Sequence, residues 1–280
     1  MIVDLSGKTA VVTGGGGILC SVMAKALAKA GAKVAVLDLK ADAAQKVADE
    51  IVAAGGTAIA VAANVLDPAS LKAAATDVET RLGVCDILVN GAGGNNPKGT
   101  TSKEYLEKAD LAGTDPAIKT FFDLDPAGIG FVFNLNFIGT LLTTQAFCRG
   151  MAEKGGNVIN ISSMNAFTPL TKIPAYSGAK ASVSNFTRWL AVHFSRVGIR
   201  VNAIAPGFFL TDQNRTLLTN PDGSLTARGH KILDHTPMQR FGVPEDLTGA
   251  LLFLVDESAS SFVNGVVLPV DGAFSAYSGV

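Results

Sequence analysis

The chain has 280 residues, with 23 Lys and Arg against 24 Asp and Glu, a formal net charge of −1, and no basic block long enough to follow a nucleic-acid backbone, so no nucleic-acid partner is expected. Cys20, Cys85 and Cys148 lack C-x-x-C spacing and the three histidines are scattered, which excludes a disulfide framework and gives no metal site. The start MIVDLSGK lacks a basic and apolar leader, and the apolar run Ala250 to Val255 is too short to span a bilayer, so a soluble cytoplasmic protein without a membrane partner is expected.

In chain order, the β-branched run Thr9 to Thr13 meets four glycines, and an Ala/Leu/Lys-rich stretch, Ser21 to Ala30, ends at Gly31. That pattern predicts strand, tight turn and helix. The cycle repeats as a strand at Lys33 to Leu37, a helix at Ala41 to Ala54, a strand at Thr57 to Val61, a helix at Ala69 to Leu82 and a strand at Asp86 to Asn90. A long helix from about Asp125 to Met151 follows, then a strand at Asn157 to Ile161, a helix at Pro174 to Val197, a strand at Ile199 to Ile204 and a short strand near Val266 to Pro269. Strands alternating with helices over short connections build right-handed βαβ units and a parallel sheet. No linker or repeat divides the chain, so residues 1–280 are expected to form one α/β domain, a doubly wound Rossmann sheet.

Gly91 to Leu124 is far longer than an ordinary strand-to-helix connection. It follows the carboxyl end of a strand, where open α/β sheets bind ligands, and it contains an expected short helix around Ser102 to Lys108. The expectation is an enlarged loop forming part of a substrate mouth; the alternative is a surface insertion without a role.

TGGGGILC, Thr13 to Cys20, lies between the first strand and helix, where bare backbone and a helix N-terminus can meet a pyrophosphate. Asp38, at the end of the second strand, stands where a carboxylate accepts hydrogen bonds from ribose hydroxyls and repels a 2′-phosphate. NAD is therefore favoured over NADP, with Lys40 as the feature on the NADP side and capping of the next helix as the alternative role for Asp38. Asn64, after the third strand, is a candidate for the adenine edge, and Asn90 to Gly93 for a glycine-rich strand exit beneath the adenosine.

Tyr176 and Lys180 are four residues apart at the start of a helix and so share a face. A tyrosine ordinarily titrates near pH ~10, so proton transfer near neutrality benefits from a neighbouring cation. Such pairs also occur on solvated helices; the weight comes from Ser162 and Ser163 at the end of the strand that precedes this helix.

In TGGGGILC, NGAGG from Asn90, LNFIGT with Asn136, ISS with Ser163, YSGAK with Tyr176 and Lys180, and APGFFLT with Pro206, Gly207 and Thr211, the chain resembles the short-chain dehydrogenase/reductase family over essentially its whole length. The resemblance implies that Ser163 positions a substrate oxygen, Tyr176 transfers the proton, Lys180 lowers the tyrosine pKa and holds the nicotinamide ribose, and Asn136 anchors a water joining Lys180 to solvent. It further implies cofactor contacts from Gly14, Gly17, Ile18, Leu19, Asp38, Asn64, Val65, Asn90, Ala92 and Gly93, a segment Pro206 to Thr211 against the nicotinamide, and a homotetramer. The chain departs from the family pattern at Ile18 and Cys20, where glycines are usual, and at Gly91, where many members carry asparagine.

GGNNPKGTT, FFDLDPAG, ISSMNAFTPLTKIPAYS and VDGAFSAYSGV are similar to runs in the bacterial D-mannonate oxidoreductases (fructuronate reductases) of that family, which implies a sugar-acid substrate. A polyol carboxylate calls for amides and a cation; with Ser163, the candidates are Asn95, Asn96, Asn165, Lys172 and Arg215, a guanidinium being able to grip a carboxylate with two bonds. A gluconate 5-dehydrogenase or another keto-acid or keto-acyl reductase is the alternative. A non-catalytic dinucleotide sensor is the alternative of another class, opposed by the intact Ser163, Tyr176 and Lys180. Phe186 and Trp189 form a second apolar stripe on the Tyr176 helix, which points to self-association unless the stripe packs within the domain.

Overall fold

The computed structural model describes residues 3–211 and 214–279. Seven strands form one parallel sheet in the order β3-β2-β1-β4-β5-β6-β7. They are β1 (Thr9–Thr13), β2 (Lys33–Asp38), β3 (Thr57–Ala62), β4 (Ile87–Asn90), β5 (Gly156–Ile161), β6 (Ile199–Pro206) and β7 (Val267–Val270). The chain works outward from β1 to β3 and then returns to lay β4 on the other side of β1, with Val12 in register with Val36 and Val89. This reversal opens a crevice at the carboxyl ends of β1 and β4, and it positions everything that follows.

Alternation along the strands divides the core. Val12, Val36, Val89 and Ile159 face Met23 and Leu27 of α1 (Ile18–Lys29) and Leu251 and Leu254 of α9 (Thr248–Val255). Val11, Leu37, Leu88 and Val158 face Val78 of α3 (Pro68–Leu82), Phe147 and Met151 of α5 (Gly139–Met151), and Leu190 of α6 (Pro174–His193). Both faces of the sheet are covered, so its strands read as continuous apolar runs, each buried aliphatic contributing about 1.5–3 kcal/mol.

Most elements lie where the sequence pattern places them, and α2 spans Ala41–Ala53. Helix α1 starts three residues before the expected Ser21, with Gly17 as its N-cap, which brings the helix end up to the glycine turn. Helix α6 stops at His193, and Ser195–Val197 is a 3-10 turn. The long helix expected from Asp125 is α4 (Pro126–Phe133), a π turn at Asn134–Ile138, and α5; Asp125 caps it by accepting from the Ala127 amide, with Pro126 in the first turn. By length and composition Pro126–Met151 could cross a membrane, but it packs on α3 and α6.

The helix expected at Ser102 to Lys108 is absent. Those residues bend, and a 3-10 turn forms instead at Lys108–Ala112, because Asp110 binds the Lys103 ammonium at 2.8 Å and accepts the Glu107 amide at 2.9 Å. Beyond β6 the chain adds α7 (Arg215–Leu218), α8 (Ala227–Asp234) and α10 (Glu257–Ser260) besides α9, none of them expected from the sequence.

Candidate active site

The turn after β1 rises through Gly14, at φ +62°, to Gly17 and the start of α1, whose first turn carries no acidic residue and no side-chain cap. A helix start of this kind leaves its leading amides for a ligand, and an anion suits them best. Ile18 and Leu19 occupy those leading positions, where the main-chain N–H matters more than the side chain; Ile18 in place of the family's glycine therefore leaves the donors intact.

Asp38 faces this turn. Its Oδ2 accepts from the Gly16 amide at 3.1 Å and its Oδ1 from the Lys40 amide at 3.0 Å. Lys40, not Asp38, is the N-cap of α2, so the capping role considered for Asp38 is not the one it has.

Thr13 ties the ends of β1 and β4 together, its Oγ1 accepting from the amides of Gly91 at 3.0 Å and Ala92 at 3.2 Å. Asn90 turns its carboxamide into the sheet, donating to Thr144 Oγ1 at 3.0 Å and Asn160 Oδ1 at 2.9 Å, so any cofactor contact it makes falls to its main chain. Two glycines here are required by space. A Cβ on Gly91 would lie 2.2 Å from Cys20 Sγ, and one on Gly93 would lie 2.6 Å from Asn136 Oδ1 and 3.2 Å from Lys180 Nζ. The departures at positions 20 and 91 are thus linked: a side chain at 91 would meet the Cys20 side chain as well as the Thr13 carbonyl, 2.8 Å away. Burial pushes the Cys20 thiol up to about 12, which makes it a packing group. Asn64 is exposed and closes a turn by accepting the Leu66 amide at 3.0 Å, while Val65 is buried with its Cγ2 close beside Gly139.

The proton-handling groups converge from β5, the π turn and α6. Ser162 is committed to structure, bonded to Ser184 Oγ at 2.7 Å and to the Lys180 carbonyl at 3.2 Å. Ser163 lies close enough to the half-buried Tyr176 to act on its phenol, and its Oγ accepts from the Asn165 amide at 3.3 Å, capping the 3-10 turn Met164–Ala166. Lys180 donates to the Ile161 carbonyl at 2.8 Å, with Nζ 5.6 Å from the centre of the Tyr176 ring. Burial brings the lysine down to about 8. Burial also raises the Tyr176 phenol above its ordinary value, against the opposing effect of Ser163, so the lowering by Lys180 that the family resemblance implies is not seen here. Tyr176 therefore stands protonated near neutrality, ready to donate, and a second positive charge beside it would favour the reverse transfer. Asn136 is buried in the π turn, its Nδ2 donating to Gly94 O at 2.7 Å and its Oδ1 accepting from Gly94 N at 3.2 Å, which fixes the β4 exit against that turn.

Pro206 closes β6, and Gly207 passes so near Asp271 that a Cβ would come within 2.6 Å of it. The Thr211 amide donates to Asn214 Oδ1 at 2.8 Å, and Arg215, which is itself partnered, opens α7. In the enlarged loop, Asn95 donates to Thr100 Oγ1 at 3.2 Å and Asn96 caps the turn Pro97–Gly99, so both carboxamides serve the loop's own shape. Asn165 is different: the residue is 5% exposed and its Oδ1 has no hydrogen-bond partner. Lys172 adopts φ +73°, and its carbonyl accepts the Thr101 amide at 2.8 Å, tying the enlarged loop to the start of α6.

Sequence reasoning missed the ion pair of Glu104 with Lys231 of α8, which ties the enlarged loop to the segment beyond β6. Its members are 127 positions apart, and neither belongs to a motif.

A dinucleotide crevice with a buried lysine and a tyrosine–serine pair at one end defines an oxidoreductase of the α/β dinucleotide-binding class. The short chain dehydrogenase family pattern matches residues 8–222, and the chain belongs to the short-chain dehydrogenase/reductase family. It is 60% identical to an uncharacterized oxidoreductase of Haemophilus influenzae over 278 residues, 99% of this chain and 96% of that protein. A solved Haemophilus structure with bound NAD, provisionally named a D-mannonate oxidoreductase, superposes with a TM-score of 0.94 at 59% identity, covering 99% of this chain and 98% of its own. The 7α-hydroxysteroid dehydrogenase of Escherichia coli is 36% identical over 269 residues, 96% of this chain and 94% of that enzyme.

Proposed function

We propose that the protein is an NAD-dependent oxidoreductase that interconverts a secondary alcohol and a ketone of a sugar acid, D-mannonate and D-fructuronate being the pair to test first. The observation that carries this reading is the convergence of Ser163, Tyr176 and Lys180 at the end of a crevice whose far end holds Asp38 against the glycine turn. The printed name and bound NAD of the relative at 59% identity support the choice of substrate and cofactor. The residues present fit the dinucleotide: the amides at the start of α1 suit the phosphates, and Asp38 suits two ribose hydroxyls and disfavours a 2′-phosphate.

When bound, the nicotinamide supplies or accepts the hydride. Ser163 holds the substrate oxygen, Tyr176 delivers a proton to it in reduction and takes one in oxidation, and Lys180 stabilises the phenolate left behind. Asn136 keeps the lysine and the β4 exit in register, and Pro206, Gly207 and Thr211 wall the nicotinamide side. Amides and cations around the mouth suit a polyol carboxylate better than a sterol, which favours the sugar acid over the steroid chemistry named for the Escherichia coli relative.

The enzyme is further proposed to work as a cytoplasmic homotetramer. Its three cysteines are free thiols, as a reducing compartment keeps them. Of the expected second stripe on α6, Phe186 packs within the domain against Phe137 and the core, while Trp189 is 55% exposed, stacked between Phe186 and His193, and is the part left to meet another copy. Sedimentation giving only a monomer would refute the assembly. Purified protein mixed with NADH and D-fructuronate is expected to lose the nicotinamide absorbance. Tight NADH binding without turnover of any ketouronate or ketogluconate would replace the enzyme reading with that of a sensor.

A further inference from the structure

Three separate segments bring charge together at the enlarged loop. Glu104 of the enlarged loop pairs with Lys231 of α8, and the Thr101 amide, three residues earlier, binds the carbonyl of Lys172 at 2.8 Å. Lys172 holds a left-handed backbone conformation, a strain that a non-glycine residue keeps only where its surroundings enforce it, and it lies four residues before Tyr176. The charges acting on Glu104 come from Lys231, Lys172 and Arg228; all are positive and hold its carboxyl below the usual carboxylate range. One carboxylate thus sits among three cations, leaving an excess of positive charge at the rim. Deeper in the same β5–α6 loop, Asn165 keeps a buried carboxamide oxygen without a partner, two residues from Ser163.

We infer that Lys172 is the residue that reads the substrate carboxylate, with Arg228 and Lys231 as the outer cations of the same rim and Glu104 as the anion that fixes Lys231 across the mouth. The inference rests on the sugar-acid reading and deepens it. It moves the carboxylate site from Arg215, the guanidinium that the sequence favours, to a lysine on the catalytic loop. Asn165 then meets a hydroxyl of the sugar chain between Lys172 and Ser163.

The test is steady-state kinetics with NADH on D-fructuronate and on D-fructose, the same ketose without the carboxylate. The proteins are the wild type, Lys172→Asn, which suits the positive φ, and Lys172→Arg. Losing one charge-assisted contact at a partly exposed site is expected to raise the KM for fructuronate about tenfold in Lys172→Asn. The kcat, the KM for NADH and the low activity on fructose should stay within about twofold. Lys172→Arg should recover most of the loss. An unchanged fructuronate KM in Lys172→Asn overturns the inference and leaves the sugar-acid reading standing. A wild type that reduces no sugar acid overturns both.

Discussion

At the carboxyl ends of β1, β2 and β4 the crevice is lined by main chain and small side chains packed at the limit of contact, with room for no Cβ at Gly91 or Gly93. The enlarged loop after β4 and the segment beyond β6 are instead long loops held together by side-chain hydrogen bonds and an ion pair: Asn95 to Thr100, Thr120 to Asp123, Glu104 to Lys231. The first region recognises a ligand shared by many enzymes and needs only backbone shape to do so. The second distinguishes among substrates and does so with charge and amide chemistry that can change without disturbing the sheet. Substitutions in the first region should therefore cost stability or cofactor binding, and those in the second should redirect specificity.

The most severe break falls where the two regions meet. Tyr176→Phe should fold and bind NADH as the wild type does while turnover drops by ~10²–10⁴, the usual worth of a positioned proton donor; a folded variant with near-normal turnover would remove Tyr176 from the mechanism. On the cofactor side, Gly91→Ala drives a methyl into Cys20 and should destabilise by about 1–3 kcal/mol, the ordinary cost of overpacking, seen as a lower Tm. Adding Cys20→Gly should restore part of that loss, the Thr13 carbonyl 2.8 Å from the same methyl remaining in place, and a double-mutant cycle with no coupling would show that the two positions do not compete for space.

A smaller effect follows from Lys180, whose folded pKa of about 8 lies below its ordinary 10.5. Between those values the unfolded chain holds more protons at this position than the folded chain does, so the lysine's contribution to stability rises with pH across that window. Below about 8 its burial is a standing cost to the fold. Lys180→Met should therefore raise Tm more at pH 7 than at pH 10, at the expense of catalysis. Equal shifts at both pH values would mean that the lysine is not desolvated.

The same contrast explains what could be read in advance. Strands β1 to β6 and the Ser163, Tyr176 and Lys180 set are carried by local patterns: β-branched runs between glycines, and a pair one helical turn apart. The substrate side is not local. The four residues of α7 are too few to show a period, and α9, TGALLFLV, is apolar nearly all round and so has no face to detect. The helix expected at Ser102 to Lys108 failed because Asp110 captures Lys103 and the Glu107 amide, a competition that propensity does not register. Glu104 and Lys231 are 127 positions apart and are brought together by the tertiary fold alone. Position 20 was legible as an anomaly and position 91 as another; their relation needed coordinates.

That relation also bears on how the two positions can vary. A side chain at 91 would meet both the Cys20 thiol and the Thr13 carbonyl, so the glycine at 91 and the cysteine at 20 form one steric unit, and a motif search that scores them separately counts a single packing constraint twice.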